Sequence, residues 1–391
     1  MRIHRPLAEA CLPLLDSVFD RNEVLDRVMG QAFRENRKWG KRDRHFVAES
    51  VWEVVRWKRV FSFLADTEDP AGWLAAFWQQ SGYECPEWWQ WEGATLEEMA
   101  ERRAALGEQP RAVRESYPDW LDTRAEEEIG DSWSSIASAL NRKAPVFLRV
   151  NRAESGRAEV REWLNEQGVG CSEVAEAPDA LKLDDSLPRA LFQDPRFEIQ
   201  DGGSQLIAPF LDIQPGMRVI DACAGAGGKT LHLASLMQGK GEIVALDVSQ
   251  RRLDELWRRA KRAGLRNLKV EKWSDMGLSK WTGWADRVLI DAPCSGLGTI
   301  RRQPDLKWRL DEKGLGKVIR VQRRLLDHYP ELLRAGGSFV YATCSVLPSE
   351  NETQIGNLLE RDGRWETEAS RAVHPGEHDF DGFFMARLRA R

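Results

Sequence analysis

From Met217 onward the chain alternates between short apolar runs and amphipathic ones: MRVIDAC, KTLHLASLMQ, GEIVALDVS, QRRLDELWRRAKRAG, LKVEKW, DRVLIDAP, a helical stretch near 317–334, then GGSFVYATCS. Strand and helix exchanging places four times over specify a parallel sheet with helices on both faces. Such a sheet binds ligands beyond the carboxyl ends of its strands, beside the first one. The stretch at that place, Asp221 to Thr230, reads DACAGAGGKT. A triphosphate loop of the form G-x-x-x-x-G-K-[ST] needs glycine at position 223, where Cys223 stands. The dinucleotide pattern G-x-G-x-x-G begins at Gly225 and Gly227 but meets Thr230 in its third glycine position. Both familiar readings miss by one residue. DRVLIDAP does imitate the apolar strand plus Asp of an ATPase, and the absent first glycine counts against that class.

A phosphate-free adenosine ligand fits the pattern better. The loop's glycines allow close backbone approach, and it runs into a helix whose N-terminus favours a carboxylate. The next strand ends in Asp247, twenty residues past Gly227, where an acid suits two ribose hydroxyls. The third strand is followed by Ser274-Asp275, placed to accept from an adenine amino group. An adenosine with a short zwitterionic tail satisfies all three conditions, and S-adenosylmethionine is that ligand.

Two later strands end in cysteine, at Asp291-Ala292-Pro293-Cys294-Ser295 and Thr343-Cys344-Ser345. A buried cysteine is ordinarily a small hydrophobe. Two at the functional edge of one sheet, beside a methyl donor, suggest pyrimidine chemistry. Thiolate addition at C6 makes C5 an enamine carbon able to attack the sulfonium methyl, and a second cysteine assists loss of the C5 proton and release of the sulfur. Asp291 is placed to hold the base edge at N3 and N4, favouring cytosine over uracil.

Ahead of the alternating region, residues 12–33 and 43–64 carry apolar side chains at spacings of three and four, including Leu15, Val18, Val28, Phe46, Val51 and Phe61, which describe helices. Residues 73–92 hold five of the 17 tryptophans and no arginine or lysine, a composition for packing rather than for stacking on bases. From Ala144, PVFLRVN, RAEVREWLNEQG and CSEVAEAPDALKL read as strand, helix and extended segment, a small α/β subdomain. The expected domains are an all-α region over 1–125, the small α/β subdomain over 126–200, and the parallel-sheet domain over 201–391.

A formal net charge of -5 argues against a uniformly basic coat, so nucleic-acid contact must rely on local clusters. Arg34 to His45 carries six Arg/Lys against two acids, and Arg251 to Lys269 carries eight against two; Arg301-Arg302 is a third candidate. The six cysteines are scattered, with neither a zinc pattern nor a disulfide framework, and no metal is expected. No apolar run is long enough for a bilayer, and a reducing cytoplasm is the expected location.

DACAGAGGKT, ALDVSQRRL, LIDAPCSGLGTIRRQPDLKW and YATCSVLPSENE resemble the successive motifs of the NOP/Sun family of RNA 5-methylcytosine methyltransferases, closest to its bacterial RsmB/Fmu branch. IQDGGSQLIAPFL and DGFFMARL extend the resemblance over roughly residues 140–390. It implies a Rossmann-like class I methyltransferase domain with a mostly parallel sheet, preceded by a NusB-like helical domain. By motif, Cys223, Ala224, Gly225, Ala226, Gly227, Gly228, Lys229, Asp247, Asp275 and Asp291 contact the donor or the base. Cys344 is the nucleophile and Cys294 aids release. The implied substrate is RNA, specifically small-subunit rRNA, and the expected state is a monomer. The family loop usually reads A-P-G-G-K where this chain has Gly225-Ala226-Gly227-Gly228-Lys229; losing the proline is expected to loosen the turn. The rivals are a DNA cytosine methyltransferase, with the Pro-Cys cysteine as nucleophile, and a non-catalytic RNA-binding or ribosome-assembly factor that retains the donor pocket.

Overall fold

The computed structural model describes residues 3–273 and 278–391. The chain forms two compact units, one comprising residues up to Arg142 together with Ile300–Glu312, the other Lys143–Thr299 with Lys313–Arg391. Among the described residues no helix is long and apolar enough to cross a membrane.

The first unit is helical. Its longest helix, Lys41–Ala65, starts where the Asp43 carboxylate accepts the Gly40 amide at 2.8 Å, and it stops where Asp66 turns left-handed at φ 52°. The next, Pro70–Gln80, has proline in its first turn and an Asp69 cap on the Ala71 amide. These helices bury the residues that periodicity selects, among them Leu15, Val18, Val28, Phe46, Val51 and Phe61. The tryptophan-rich stretch supplies packing: Trp73, Trp78 and Trp89 are buried, and the indole N–H groups of Trp78 and Trp89 donate to Ser50 Oγ and the Ala71 carbonyl, both at 3.0 Å. Residue 125 lies inside the helix Asp119–Ile129, and helical structure continues to Asn141. Tyr117 fastens that last part, with its hydroxyl on the Ala137 carbonyl at 3.0 Å and its ring 5.2 Å from that of Trp133.

In the second unit, strands β1 (Phe147–Val150), β2 (Cys171–Glu173), β3 (Ala180–Leu183) and β4 (Phe197–Ile199) form an antiparallel sheet of order β2-β3-β1-β4, with the helix Arg157–Glu166. The larger sheet comprises β5 (Arg218–Asp221), β6 (Glu242–Asp247), β7 (Leu268–Lys272), β8 (Ala285–Asp291), β9 (Leu333–Thr343), β10 (Trp365–Val373) and β11 (Phe383–Ala390). Their order is β10-β11-β9-β8-β5-β6-β7. Strands β5 to β9 pair in parallel, and β11 enters antiparallel beside β9. The central strands carry unbroken apolar runs, such as Val288-Leu289-Ile290 and Phe339-Val340-Tyr341, all buried, as strands covered on both faces require. The order reverses at β5, and a crevice opens beyond its carboxyl end.

The packing of the tryptophans gives a stability prediction. Trp78→Ala should cost about 3 to 5 kcal/mol, as for emptying a fully buried aromatic site. Trp88→Ala, at a ring 37% exposed, should shift the urea midpoint by little. Equal midpoints for the two variants would show that the stretch is not a core element.

Candidate functional site

The turn after β5 is built from its backbone outward. Gly225 and Gly227 lie at φ 55° and 90°, and a side chain at 227 would press its Cβ within 2.6 Å of Leu256. Glycine is therefore required at 227 on both counts. The Gly227 amide closes a tight turn on the Ala224 carbonyl at 2.9 Å, and the helix Gly228–Leu236 begins there. Asp247, at the end of β6 and 6% exposed, takes the Gly225 amide on Oδ2 at 2.9 Å and the Ser249 amide on Oδ1 at 2.7 Å. That carboxylate therefore locks the loop of β5 to the end of β6.

Lys229 and Asp291 meet inside the crevice, Nζ to Oδ2, at 2.6 Å. Burial works against the lysine's charge, but Asp291 outweighs it and holds the ammonium above the usual lysine range. The loops after β8 and β9 bring Cys294 and Cys344 together with 3.2 Å between sulfurs, and the Cys344 amide donates to the Cys294 sulfur at 3.3 Å. Contact with Cys344, burial, and the nearby charges of Cys344 and Glu350 push the Cys294 thiol well above its ordinary range.

A cavity of about 620 Å³ joins these pieces. Its lining includes Cys223, Ala224, Gly225, Ala226, Gly228, Lys229, Asp247, Asp291, Cys294 and Cys344, so all but two of the sequence-derived site residues share one space. Gly227 is the first exception; it faces Leu256 and shapes the turn from behind. Asp275 is the second, because it lies outside the described residues.

Several residues that hold this arrangement were not foreseen. Glu350 is completely buried and takes four donors: the Ser295 amide at 2.8 Å, the hydroxyls of Ser295 and Ser345, and the Gln322 carboxamide at 2.9 Å. Ser295 and Ser345 each follow a site cysteine, so one carboxylate ties both cysteine loops together. Arg149 on β1 donates to the Gly228 carbonyl, and Arg259 donates to the Ala226 carbonyl at 2.7 Å. Glu198 holds Arg259 and Arg262 in turn. Of the eight cations between Arg251 and Lys269, four therefore have acid partners: Arg258 with Glu255, Arg259 and Arg262 with Glu198, and Lys269 with Glu242. Arg301 is 4% exposed with its carbonyl held by Arg56, a packed position within the helical unit. Most of Arg34–His45 lies on the surface, but Trp39 packs its ring against Phe33 at 6.4 Å.

A parallel sheet reversed at β5, a glycine loop there, and an acid ending the next strand define a Rossmann-like methyltransferase. Residues 208–389 match the family described as 16S rRNA methyltransferase RsmB/F, and residues 117–189 match the ferredoxin-like domain of the RsmF/B-like methyltransferases. Ribosomal RNA small subunit methyltransferase B of Shigella flexneri is 36% identical over 290 residues, covering 71% of this chain and 67% of that protein. The crystal structure of PH0851 shares the fold across 99% of this chain and 100% of its own, with a TM-score of 0.79 at 23% identity. A methyltransferase homolog protein from Pyrococcus horikoshii aligns at 28% identity and a TM-score of 0.64, over 72% of this chain and 98% of its own. The chain belongs to the RsmB/F family of 16S rRNA methyltransferases.

Asp221, at the end of β5 and fully buried, accepts the Thr230 hydroxyl at 2.7 Å. Burial pushes its carboxyl up to about 7. The unfolded chain ionises this group near the ordinary aspartate value of about 4. Its contribution to stability is thus complete below that pH and is lost as pH rises toward 7. Asp221→Asn should therefore gain stability relative to the parent between pH 5 and pH 8, read as urea midpoints. A parent-variant difference that is the same at both pH values would mean that Asp221 ionises normally.

Proposed function

We propose that this protein methylates C5 of a cytosine in 16S rRNA through a covalent adduct between Cys344 and C6 of the base. As a member of the RsmB/F family it is an rRNA methyltransferase that uses S-adenosylmethionine. The observation that carries the finer reading is the 3.2 Å contact of Cys294 and Cys344, in one cavity with the glycine loop and the Lys229–Asp291 pair.

The residues present fit the donor. Each Asp247 oxygen accepts one backbone amide and keeps a second lone pair for a ribose hydroxyl. Space is open where a Gly225 side chain would project, and the N-terminus of Gly228–Leu236 favours the donor's carboxylate. S-adenosylmethionine supplies an electrophilic sulfonium methyl group. The chain's own residues prepare the acceptor.

The Cys344 thiolate adds to C6, and the electron pair of the C5–C6 double bond moves to C5 as an enamine. Asp291 accepts from the N4 amine, which uracil lacks, and Lys229 beside it offsets negative charge reaching N3. Once C5 is methylated, its proton leaves to solvent. The freed electron pair rebuilds the C5–C6 double bond as the S–C6 bond breaks, and Cys344 returns as thiolate. Cys294, kept protonated by its surroundings, donates its S–H to that departing sulfur. Both thiols must stay reduced, which favours a cytoplasmic site of action. A monomer suffices, since every group named comes from one chain.

Labelled-methyl transfer to rRNA, followed by bisulfite mapping, tests the reading. Transfer to DNA alone would favour the DNA enzyme, and donor binding without transfer would favour an assembly factor.

Asp247→Ala should raise the donor dissociation constant about tenfold or more, corresponding to a lost charge-assisted pair of roughly 1.5 to 3 kcal/mol. Calorimetry showing unchanged affinity removes Asp247 from the donor site. For the cysteines, Cys344→Ala should abolish both methyl transfer and any covalent enzyme–RNA species. Cys294→Ala should accumulate a methylated covalent complex, seen as a slow band on a denaturing gel, and the double variant should show none. If Cys344→Ala gives the band and Cys294→Ala does not, the two roles are reversed.

A further inference from the structure

The helix Glu312–His328 carries its cations in a pattern that the rest of the chain does not repeat. Lys313, Lys317, Arg320 and Arg324 follow at steps of four, three and four, which on a helix places them in one stripe along one face. All four are exposed, as is the neighbouring Arg323. In the helix Gln250–Arg262 and the strand after it, by contrast, Arg258, Arg259, Arg262 and Lys269 meet carboxylates. None of these five forms an ion pair among the described residues. Holding like charges in a row costs stability, and no ion pair among the described residues offsets it.

The position of the stripe gives it a use. Val321 and Leu325, each one residue after a stripe cation, line the cavity that holds Cys294 and Cys344. Gln322, on the inner side of the same helix, donates to Glu350, the carboxylate that ties the two cysteine loops. One rigid helix therefore turns one side to the reacting groups, its next side to a file of unpartnered positive charge, and its inner side to the frame behind the cysteines.

We propose that the stripe Lys313, Lys317, Arg320 and Arg324 is a phosphate-contacting surface for the RNA strand that delivers the target cytosine to the cavity. A strand of RNA offers one phosphate per nucleotide, so a row of cations beside the cavity fixes its backbone while the base enters. The stripe carries no hydrogen-bonding code for bases; it sets position and affinity, and leaves base choice to the cavity. This inference rests on the RNA-methyltransferase reading above.

The test uses the full chain with Lys313, Lys317, Arg320 and Arg324 all changed to Gln, beside a variant that exchanges Lys for Arg and Arg for Lys at the same positions. Binding of a 16S rRNA fragment is measured against salt. The Gln variant should lose about 0.7 to 0.9 in the slope of log K against log salt for each contact removed. Its KM for RNA should rise at least tenfold with kcat little changed, and donor affinity should equal the parent's, showing an intact fold. The charge-preserving variant should stay near the parent. An unchanged salt slope and KM in the Gln variant, with the parent active on rRNA, overturn the stripe and leave the reading of function standing. A charge-preserving variant as impaired as the Gln variant also overturns it. A parent that transfers no methyl group to rRNA under any condition fails the functional reading itself.

Discussion

The cysteine-bearing end of the sheet is organised by one buried carboxylate. Glu350 is cut off from water, and its neighbours are hydroxyls, a backbone amide and a carboxamide rather than a cation. Such a group is costly to bury unless its lone pairs are filled, so its donors are held firmly in place. Two of those donors are the serines that follow Cys294 and Cys344. The loops after β8 and β9 are thereby fixed relative to each other, and the sulfur contact at 3.2 Å follows. Contact with Cys344 and burial disfavour a thiolate at Cys294, and the Glu350 charge adds to them. A single side chain thus fixes the positions of both cysteine loops.

The glycine loop after β5 relies on a different device. Proline would have fixed φ in the turn where this chain has Ala226. Here the turn is held through its carbonyls instead: Arg259 takes that of Ala226, Arg149 takes that of Gly228, and Asp247 takes the amide of Gly225. Arg149 is buried and belongs to the small antiparallel sheet, so that subdomain helps to shape the glycine loop as well as standing before it in the chain. Burial lowers the Arg149 pKa to about 10, which leaves the guanidinium charged at neutral pH. Side-chain restraints of this kind replace a covalent one, and they make the loop depend on residues far away in sequence.

That distance explains what sequence reading reaches and what it misses. The parallel sheet, the glycine turn, Asp247 and the two cysteines were legible because each is a local pattern at a strand end, and the sheet then collects strand ends on one edge. The antiparallel entry of β11 beside β9 has no local signature, although DGFFMARL marks its start. Glu350 stood in plain view within YATCSVLPSENE, yet its role depends on Ser295, 55 residues earlier. Arg149 and Arg259 act on carbonyl groups, and a backbone carbonyl has no letter in the sequence. Sequence spacing identified the groups that line the cavity better than the groups that hold those groups still.

Charge shows the same limit in another form. The run Arg251–Lys269 holds more cations than the other basic clusters in the sequence, but half of them are taken up by Glu198, Glu242 and Glu255. A cation already paired offers a phosphate little, because the existing partner must first be displaced and solvated. The helix Glu312–His328 looks less basic when read in line, since apolar residues interrupt its cations. Folding sorts those interruptions onto its inner and cavity sides and leaves the positive charges together and unmatched. The capacity of a segment to bind a polyanion therefore depends on the charge left over after the fold has made its own pairs, and that remainder becomes visible only when acids distant in sequence are brought alongside.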